Sequence, residues 1–266
     1  MKHLLLAIAA LATMFTSCNT QKVLILYYSQ TGTTQVVAEE LQKQLGADIE
    51  RIDVAEAYDG DFMATVQRFN EERQSGFVPT LLPLKSELDK YDTIFIGYPV
   101  WSGTYAPAVA ALLNSATLDG KTVVSFCTFG SGGLNTSTAD LVKALPNSTV
   151  KEGYGVRAAR LHAVPAEVNR FLIENGYKEG SVEALPEYSE QAPVTEEDIE
   201  IFNAACSDYQ FPLGTPVTVG KRSTAGSEDY LFTVSNDSPF GGAASSSSIY
   251  VTVADGGKPE FTVVVR

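Results

Sequence analysis

Residues 22–45, KVLILYYSQTGTTQVVAEELQKQL, contain the change of pattern that decides how the first half of the chain folds. The unbroken apolar run 23–28 is typical of a buried strand, and the valine and leucine residues of the stretch 36–45 recur at helical spacing. The residues between them, SQTGTT (29–34), include four hydroxyl side chains and one glycine but no lysine or arginine. The stretch therefore predicts a strand, a tight turn and a helix.

The same alternation of patterns continues to about residue 178. Further strand-like runs lie at 48–54, 92–99, 122–129 and 151–159, and helix-like stretches lie at 34–45, 61–74, 105–115, 135–145 and 165–175. Apolar, β-branched strands that alternate with amphipathic helices predict a parallel sheet covered on both faces. In such a sheet a ligand lies beyond the carboxyl ends of the strands, where the order of winding reverses.

After residue 178 the pattern changes, which predicts a second unit. A linker rich in proline and acidic residues (179–194) precedes TEEDIEIFNAAC (195–206), a predicted short helix with Thr195 as its N-cap. Four segments of alternating pattern follow, and DGGK (255–258) is typical of a hairpin turn between the last two. Residues 195–266 are therefore predicted to form a small β-rich domain of unknown role, with the stretch 236–248 as a low-complexity loop.

Residues 1–18 resemble an export signal of the lipoprotein type. A basic start at Lys2 and a nine-residue apolar segment (4–12) precede FTSC, which ends at Cys18. A helix of nine residues is too short for a hydrocarbon core of about 30 Å, so no permanent transmembrane span is predicted. FTSC resembles the lipobox, although Phe15 stands where leucine is usual, and Cys18 would carry the lipid. We expect an exported protein that contacts the membrane through this anchor only; an ordinary secreted protein and an uncleaved cytoplasmic N-terminus are the alternatives.

Composition narrows the possible partners and sites. The formal net charge of −13, with no cluster of lysine and arginine, argues against nucleic acid as a partner. The sequence has no CxxC and no cluster of histidine and cysteine, so no metal site is predicted. Cys127, in the strand-like run 122–129, is predicted to be a buried inert thiol, and a disulfide between Cys127 and Cys206 is the alternative.

The turn SQTGTT predicts a phosphate site. A glycine-containing turn that opens a helix directs several backbone N–H groups and the positive end of the helix dipole to one point, and the hydroxyls add donors. Neither GxxxxGK[ST] nor GxGxxG is present here, and neutral donors alone fit a tightly held monophosphate. The alternative is an ordinary hydroxyl-rich turn in which Thr33 or Thr34 caps the helix.

Two further segments follow neighbouring strands. GYPVWSGTYAP (97–107) is predicted to place an aromatic pair, Tyr98 and Trp101, on a surface loop where a flat apolar ligand ring could stack. CTFGSGGLNTSTADL (127–141) adds a glycine-rich loop after the fourth strand. All three loops are expected at one edge of the sheet.

In order and spacing, these three loops resemble those of the flavodoxins, in particular bacterial flavodoxin-like proteins, over about residues 22–178. The segment 59–73 is similar to an extra helix of that subgroup, whereas Ser102 and the order GSGG (130–133) depart from its usual pattern. The resemblance implies a flavodoxin-like, doubly wound, five-stranded parallel sheet, with FMN as cofactor. It implies that the first loop holds the phosphate of FMN, through Ser29, Gln30, Thr31, Gly32, Thr33 and Thr34. The flavin ring would then lie between the other two loops. The second loop would line one side of the ring with Pro99, Val100, Trp101, Ser102, Gly103 and Thr104, and the third loop would line the other side with Thr128, Phe129, Gly130, Ser131, Gly132 and Gly133.

The resemblance also implies a redox function, and the predicted export signal would place that function in the cell envelope. We expect electron transfer through bound flavin to a redox partner protein; an FMN-dependent reductase of a quinone-like or nicotinamide substrate and a flavin-free binding module are the alternatives. Because the three loops contain no lysine or arginine, we expect the second electron to enter at a potential below that of free FMN. A lone histidine, His162, is more often structural than functional.

Overall fold

The structure is a computed structural model and describes residues 22–236 and 245–266. The predicted export signal and Cys18 lie outside the described residues. The first half of the chain contains, in order, β1 (Val23–Tyr27), α1 (Thr33–Leu45), β2 (Asp48–Arg51), α2 (Phe62–Ser75), β3 (Thr93–Trp101), β4 (Thr104–Tyr105), α3 (Pro107–Ser115), β5 (Thr122–Phe129), α4 (Leu134–Ala144), β6 (Thr149–Arg157) and α5 (Val164–Glu174). Two 3₁₀ helices, Leu88–Lys90 and Ala158–Ala163, complete this half.

The first sheet has the strand order β2-β1-β3-β5-β6, and these five strands are all parallel. The short strand β4 pairs antiparallel with the end of β3. The predicted flavodoxin-like parallel sheet is thus confirmed. Its order of winding reverses at β1 and β3, which are neighbours in the sheet.

Helices cover both faces of this sheet, and this explains the unbroken apolar runs. On one face, Leu24 and Ile94 pack with residues of α3 and α4. On the other face, Ile25 and Phe95 pack with residues of α1 and α5. Successive strand residues point to opposite faces, so a strand that is buried on both sides needs an apolar residue at nearly every position.

The second sheet is antiparallel and belongs to the C-terminal part of the chain. Its elements are β7 (Ala192–Pro193), α6 (Glu196–Cys206), β8 (Thr215–Ser223), β9 (Ser227–Asn236), β10 (Ser245–Ala254) and β11 (Pro259–Val265), with the strand order β11-β10-β9-β8-β7. Helix α6 covers one face, where Phe202 meets Phe232 with ring centroids 5.2 Å apart. The predicted β-rich unit is confirmed, and β7 lies within the predicted linker 179–194.

Of three local predictions in this unit, two are confirmed and one is wrong in part. Thr195 caps α6 as predicted, and the predicted turn at DGGK joins β10 to β11 with Gly256 at φ 67°. The prediction of a loop over 236–248 is wrong at both ends, because Asn236 ends β9 and residues 245–248 begin β10 and pair with β9. Serine has little intrinsic preference for strands, so this segment takes its conformation from its neighbour. Residues 237–244 of that loop lie outside the described residues.

The two cysteines of the described chain are free thiols. Cys127 is buried as predicted, and burial raises the pKa of its thiol far above the usual range. Burial also raises the pKa of Cys206 to about 12.

In the ranges 22–236 and 245–266, no helix combines the length and apolar character needed to cross a membrane.

Candidate functional site

Three loops meet at the carboxyl edge of the first sheet. The first loop (29–34) follows β1, the second loop (99–104) includes the end of β3, and the third loop (128–133) includes the end of β5. Because β1, β3 and β5 are adjacent and parallel, the loops lie side by side, where the order of winding reverses. The structure therefore brings together the three segments that the sequence predicts to form one site.

The first loop leaves the start of α1 open. Gly32 is the N-cap, with a left-handed φ of 89°, and no side chain of the described residues caps this helix. A Cβ built on Gly32 meets no atom within 4 Å, so the space in front of the helix is open. The alternative in which Thr33 or Thr34 is the N-cap is wrong, because both lie inside α1.

Other helix starts in the described chain differ from that of α1. Asp61 caps α2 and Thr195 caps α6 through their side chains, while α3 and α5 begin with proline in the first turn. Only α4 resembles α1, since it starts after Gly133 at φ 118° without a side-chain cap. The first and third loops thus each lead into a helix without a side-chain cap, and at α1, where the space is open, the N–H groups are available to an anion.

Hydroxyl groups connect the first loop to the third. The Oγ1 atom of Thr128 lies 2.8 Å from that of Thr34 and 3.3 Å from that of Thr33. Thr34 and Thr128 are buried, and the side chain of Thr33 is at the boundary with solvent. Thr33 also approaches Thr31, at 3.4 Å between their Oγ1 atoms. Threonine hydroxyls of the first loop and of β5 therefore converge at the open helix start.

Two residues of the first loop instead support its own structure. Ser29 is buried, and its Oγ accepts the N–H of Gly32 at 3.1 Å. The side-chain amide of Gln30 donates to Oγ1 of Thr65 at 2.7 Å, which ties the loop to α2. Their side chains shape the turn, so Thr31 and Thr33 are left as the hydroxyl donors that can face a ligand.

The second loop differs from its prediction. Tyr98 is fully buried within β3 and donates to Oγ of Ser137 at 3.2 Å, so the expected exposed pair of Tyr98 and Trp101 is wrong. The reason is that β4 pairs with Val100 and Trp101 and extends the strand through the predicted loop. The turn that remains is tight, with Ser102 at φ 48° and Gly103 at φ 84°.

Trp101 is partly buried in a cluster of aromatic rings. Its ring centroid lies 6.2 Å from Tyr28, 5.0 Å from Tyr58 and 5.7 Å from Phe69, each in an edge-on arrangement. Burial raises the pKa of Tyr28 to about 12, so its phenol is neutral at physiological pH. This cluster was not predicted, because Tyr58 and Phe69 come from a segment that follows β2 rather than from a loop with a recognisable pattern.

The second and third loops are in direct contact. A Cβ built on Gly133 would lie 2.6 Å from Cγ1 of Val100, which explains why glycine is needed there. In addition, Oγ1 of Thr136 donates to the carbonyl of Gly103 at 2.7 Å. The three loops thus form one connected surface at the edge of the sheet.

Two arginines outside the loops contact them, and sequence reasoning missed both. Nη2 of Arg51, at the end of β2, donates to the carbonyl of Ser29 at 2.6 Å. Nε of Arg157, at the end of β6, donates to the carbonyl of Gly130 at 2.9 Å. Each also pairs with a carboxylate, Asp53 at 2.9 Å and Asp208 at 3.1 Å respectively. Their positions at the carboxyl ends of two strands were the available signal.

His162, in the 3₁₀ helix Ala158–Ala163, lies next to a residue of β11. It is exposed, and its Nε2 atom lies 3.2 Å from a carboxylate oxygen of Glu260 in β11. The residue therefore contributes to the contact between the two sheets. This location favours the structural interpretation of the lone histidine.

Comparison with known proteins gives a family match over the first half of the chain. The model of the flavodoxin family described as Flavodoxin matches residues 22–165. No curated protein matches the sequence. Among solved structures, a proposed flavoprotein of Bacteroides uniformis has a TM-score of 0.51 and 27% identity, over 56% of this chain and 98% of its own.

Two other solved structures are similar to the same part of the chain. A proposed flavoprotein of Bacteroides eggerthii is 31% identical over 54% of this chain and 94% of its own, with a TM-score of 0.48. A flavoprotein of Lactobacillus acidophilus, solved in complex with FMN, is 24% identical over 56% of this chain and 97% of its own, also with a TM-score of 0.48. With the family model matching more than half of the residues, the chain belongs to the flavodoxin family.

Proposed function

We propose that the protein binds FMN at the three loops and transfers electrons through it. The observation that carries this proposal is the open start of α1, with Gly32 in the left-handed region and threonine hydroxyls from the first and third loops converging on it. Membership of the flavodoxin family supports FMN as the cofactor. When bound, FMN supplies the redox chemistry, and the protein positions the flavin and sets its potential.

The residues present fit the two ends of FMN. A phosphate at the start of α1 would accept from backbone N–H groups of the first loop and from the hydroxyls of Thr31 and Thr33. The turn from Ser102 to Thr104 and the glycine-rich part of the third loop would border the ring. Gly103 has a φ of 84°, a conformation that glycine adopts readily, and it adds no side chain to that turn.

Titration of the purified apoprotein with FMN tests this proposal. We expect one FMN per chain and quenching of flavin fluorescence, with much weaker binding of riboflavin, which lacks the phosphate. Equal affinity for the two flavins would overturn the phosphate assignment. Failure of both to bind would favour the flavin-free binding module.

One-electron transfer is the redox behaviour that the charge distribution favours. The chain has a formal charge of −13, the three loops contain no lysine or arginine, and the nearby Arg51 and Arg157 are each paired with a carboxylate. Negative charge gained on reduction would therefore be disfavoured in this site. In a spectroelectrochemical titration we expect two separate one-electron steps, the second below the potential of free FMN.

A groove beside the second loop makes a reductase the second candidate. It has a volume of about 410 Å³ and is lined by residues 102–105, by apolar side chains that include Phe69 and Phe77, and by the charged Glu72, Arg73 and Asp140. A quinone-like ring is a ligand of suitable size and polarity for such a groove. Steady-state consumption of NAD(P)H in the presence of a quinone, together with one concerted two-electron step, would favour the reductase over the carrier.

We also propose that the protein is exported and anchored through a lipid on Cys18. The apolar segment 4–12 and the lipobox-like FTSC support this proposal. Cys18→Ala should abolish the lipid modification, and the protein should no longer be processed and anchored as a lipoprotein, as judged by mass spectrometry and fractionation. An unmodified Cys18 in the membrane fraction of the wild type would contradict it.

A further inference from the structure

Strand β11, at the edge of the second sheet, lies directly against the third loop. The backbone N–H of Val264 donates to the carbonyl of Ser131 at 2.7 Å. Next to this bond, a Cβ built on Gly132 would lie 2.5 Å from the carbonyl oxygen of Val264. The contact is therefore made by backbone on backbone, with no room for a side chain at residue 132.

The side chain of Arg157 forms hydrogen bonds with the same two segments. Its side chain is only 4% exposed, and its three nitrogen atoms have different partners. Nε donates to the carbonyl of Gly130, Nη1 to the carbonyl of Phe261 at 3.0 Å, and Nη2 to the carboxylate of Asp208. The guanidinium also lies 3.9 Å from the ring centroid of Phe261. One side chain thus contacts the third loop, β11 and the residues after α6.

Because Arg157 is buried, its side chain depends on keeping its partners in both segments. A buried guanidinium is costly unless its donors are paired, and hydrogen bonds from a charged donor are stronger than those between neutral groups. Displacement of the C-terminal unit would leave Arg157 without two of its partners. The position of Gly130 in the third loop is therefore linked to the docking of β11.

We propose that Arg157 is a positioning residue that couples the docking of the C-terminal β unit to the affinity of the third loop for the flavin ring. The inference rests on the proposed FMN function. It gives the C-terminal unit a role, since that unit completes the ring end of the site through Arg157 and β11. The phosphate end, at the first loop, does not contact Arg157 in the described structure.

The test compares Arg157→Met with Arg222→Met in the full chain. Arg222 is a matched control, because it is an arginine paired with a carboxylate, Asp229 at 2.9 Å, and lies 4.4 Å from the ring centroid of Tyr188, with no partner in the three loops. The dissociation constants of FMN and riboflavin are measured for each apoprotein, together with the visible circular dichroism of the bound flavin. The thermal midpoint of each apoprotein shows how much the substitution destabilises the fold.

For Arg157→Met we expect both flavins to bind about tenfold more weakly, by the same factor, a coupling of ordinary size. The equal factor is expected because the change acts on the ring, which the two flavins share. The visible circular dichroism should change as well, whereas Arg222→Met should leave both dissociation constants and the spectrum as in the wild type. Arg157→Lys keeps the positive charge but has a single ammonium in place of the three guanidinium nitrogen atoms, and it should bind the flavins more tightly than Arg157→Met does.

Other outcomes would overturn the inference. Unchanged affinities in Arg157→Met, or equal losses in Arg222→Met, would show that Arg157 has no special link to the site. Weaker binding of FMN alone would place the effect at the phosphate. If Arg157→Met does not fold, Asp208→Asn replaces it, because Asp208 is half exposed and its loss removes one partner only; we then expect a smaller, equal weakening for both flavins. A wild type that binds neither flavin would overturn the proposed function itself.

Discussion

Helices α1 and α6 begin in opposite ways, and the difference separates the proposed phosphate-binding end from a structural one. At α6, Oγ1 of Thr195 accepts the N–H of Asp198 at 3.3 Å, and the carboxylate of Asp198 accepts the N–H of Thr195 at 3.0 Å. Nζ of Lys221 lies 2.6 Å from the same carboxylate. Helix α1 has a glycine at the equivalent position, no side-chain cap and no acidic residue in its first turn.

The comparison shows that α1 lacks the local stabilisation that the side-chain cap gives to α6. At α6, Thr195 and Asp198 form a capping box, in which each side chain accepts a backbone N–H of the other residue. These side chains occupy the helix start and leave no room for an anion. At α1 the same donors are left to solvent or to a ligand, so a phosphate should stabilise this end when it binds. The following predictions exchange or remove the features that distinguish the two ends, beginning with the largest expected effect.

Gly32→Asp should turn the open end into a closed one. A carboxylate at this position would occupy the space of the phosphate and repel its charge, so FMN should bind more than about 100-fold more weakly, which is about 2.7 kcal/mol. Gly46→Asp is the matched control, because Gly46 has a left-handed φ of 63° at the other end of α1 and open space around it. Both variants share the backbone strain, so similar FMN affinities would exclude the first loop as the phosphate site.

Thr33→Val removes one hydroxyl from the open end while it keeps the shape of the side chain. FMN should bind about tenfold more weakly, the effect of one good hydrogen bond to a charged group. Riboflavin affinity should stay unchanged, because the lost donor faces the phosphate. Titration with both flavins measures this, and an equal loss for riboflavin would place Thr33 elsewhere in the site.

Thr195→Ala opens the start of α6. The loss of the cap should lower the free energy of unfolding by about 1 kcal/mol. FMN affinity should remain at the wild-type value, because α6 supplies no residue to the three loops. Urea denaturation followed by circular dichroism gives the first quantity and flavin titration the second. Weaker FMN binding in this variant would show that the two helix ends are coupled.

Acid should weaken the start of α6. Burial alone would raise the pKa of Asp198, but the hydrogen bonds from Lys221 and Thr195 more than offset this and lower the pKa below its usual value. The stabilisation is therefore complete above the ordinary aspartate pKa of about 4 and is lost as pH falls through the lower pKa of the folded state. The difference in unfolding free energy between wild type and Asp198→Asn should shrink between pH 5 and pH 3, as denaturation at each pH would show. A constant difference would contradict it.

Elements that depend on a local sequence pattern could be predicted, whereas strands that form only by pairing with a neighbouring strand could not. Strand and helix alternation is local, as is the capping box at Thr195, so the parallel sheet and the start of α6 were both predictable. The extension of β3 through Trp101 depends on its pairing with β4, and the strand at 245–248 depends on β9. Neither segment has a pattern of its own that indicates a strand.

The candidate site shows the same division. The residues of the first loop and the third loop follow their strands immediately, and parallel strands end at one edge, so their proximity could be inferred. Arg51 and Arg157 reach the loops from other strands, and the partners of Arg157 include Phe261, 104 residues away in sequence. A contact of this kind depends on how the second sheet docks, which no local pattern encodes.

The docking of β11 also bears on aggregation. This strand contains FTVVV (261–265), an uncharged β-branched segment of the kind that pairs readily with strands of other chains. As an edge strand it would offer its backbone groups to such partners, but the third loop accepts the N–H of Val264 and Arg157 donates to the carbonyl of Phe261. At the opposite edge, β7 has only two residues and ends in Pro193, which has no N–H to donate. The contact of β11 with the third loop and Arg157, which we propose completes the flavin site, thus also protects this edge of the sheet from pairing with strands of other chains.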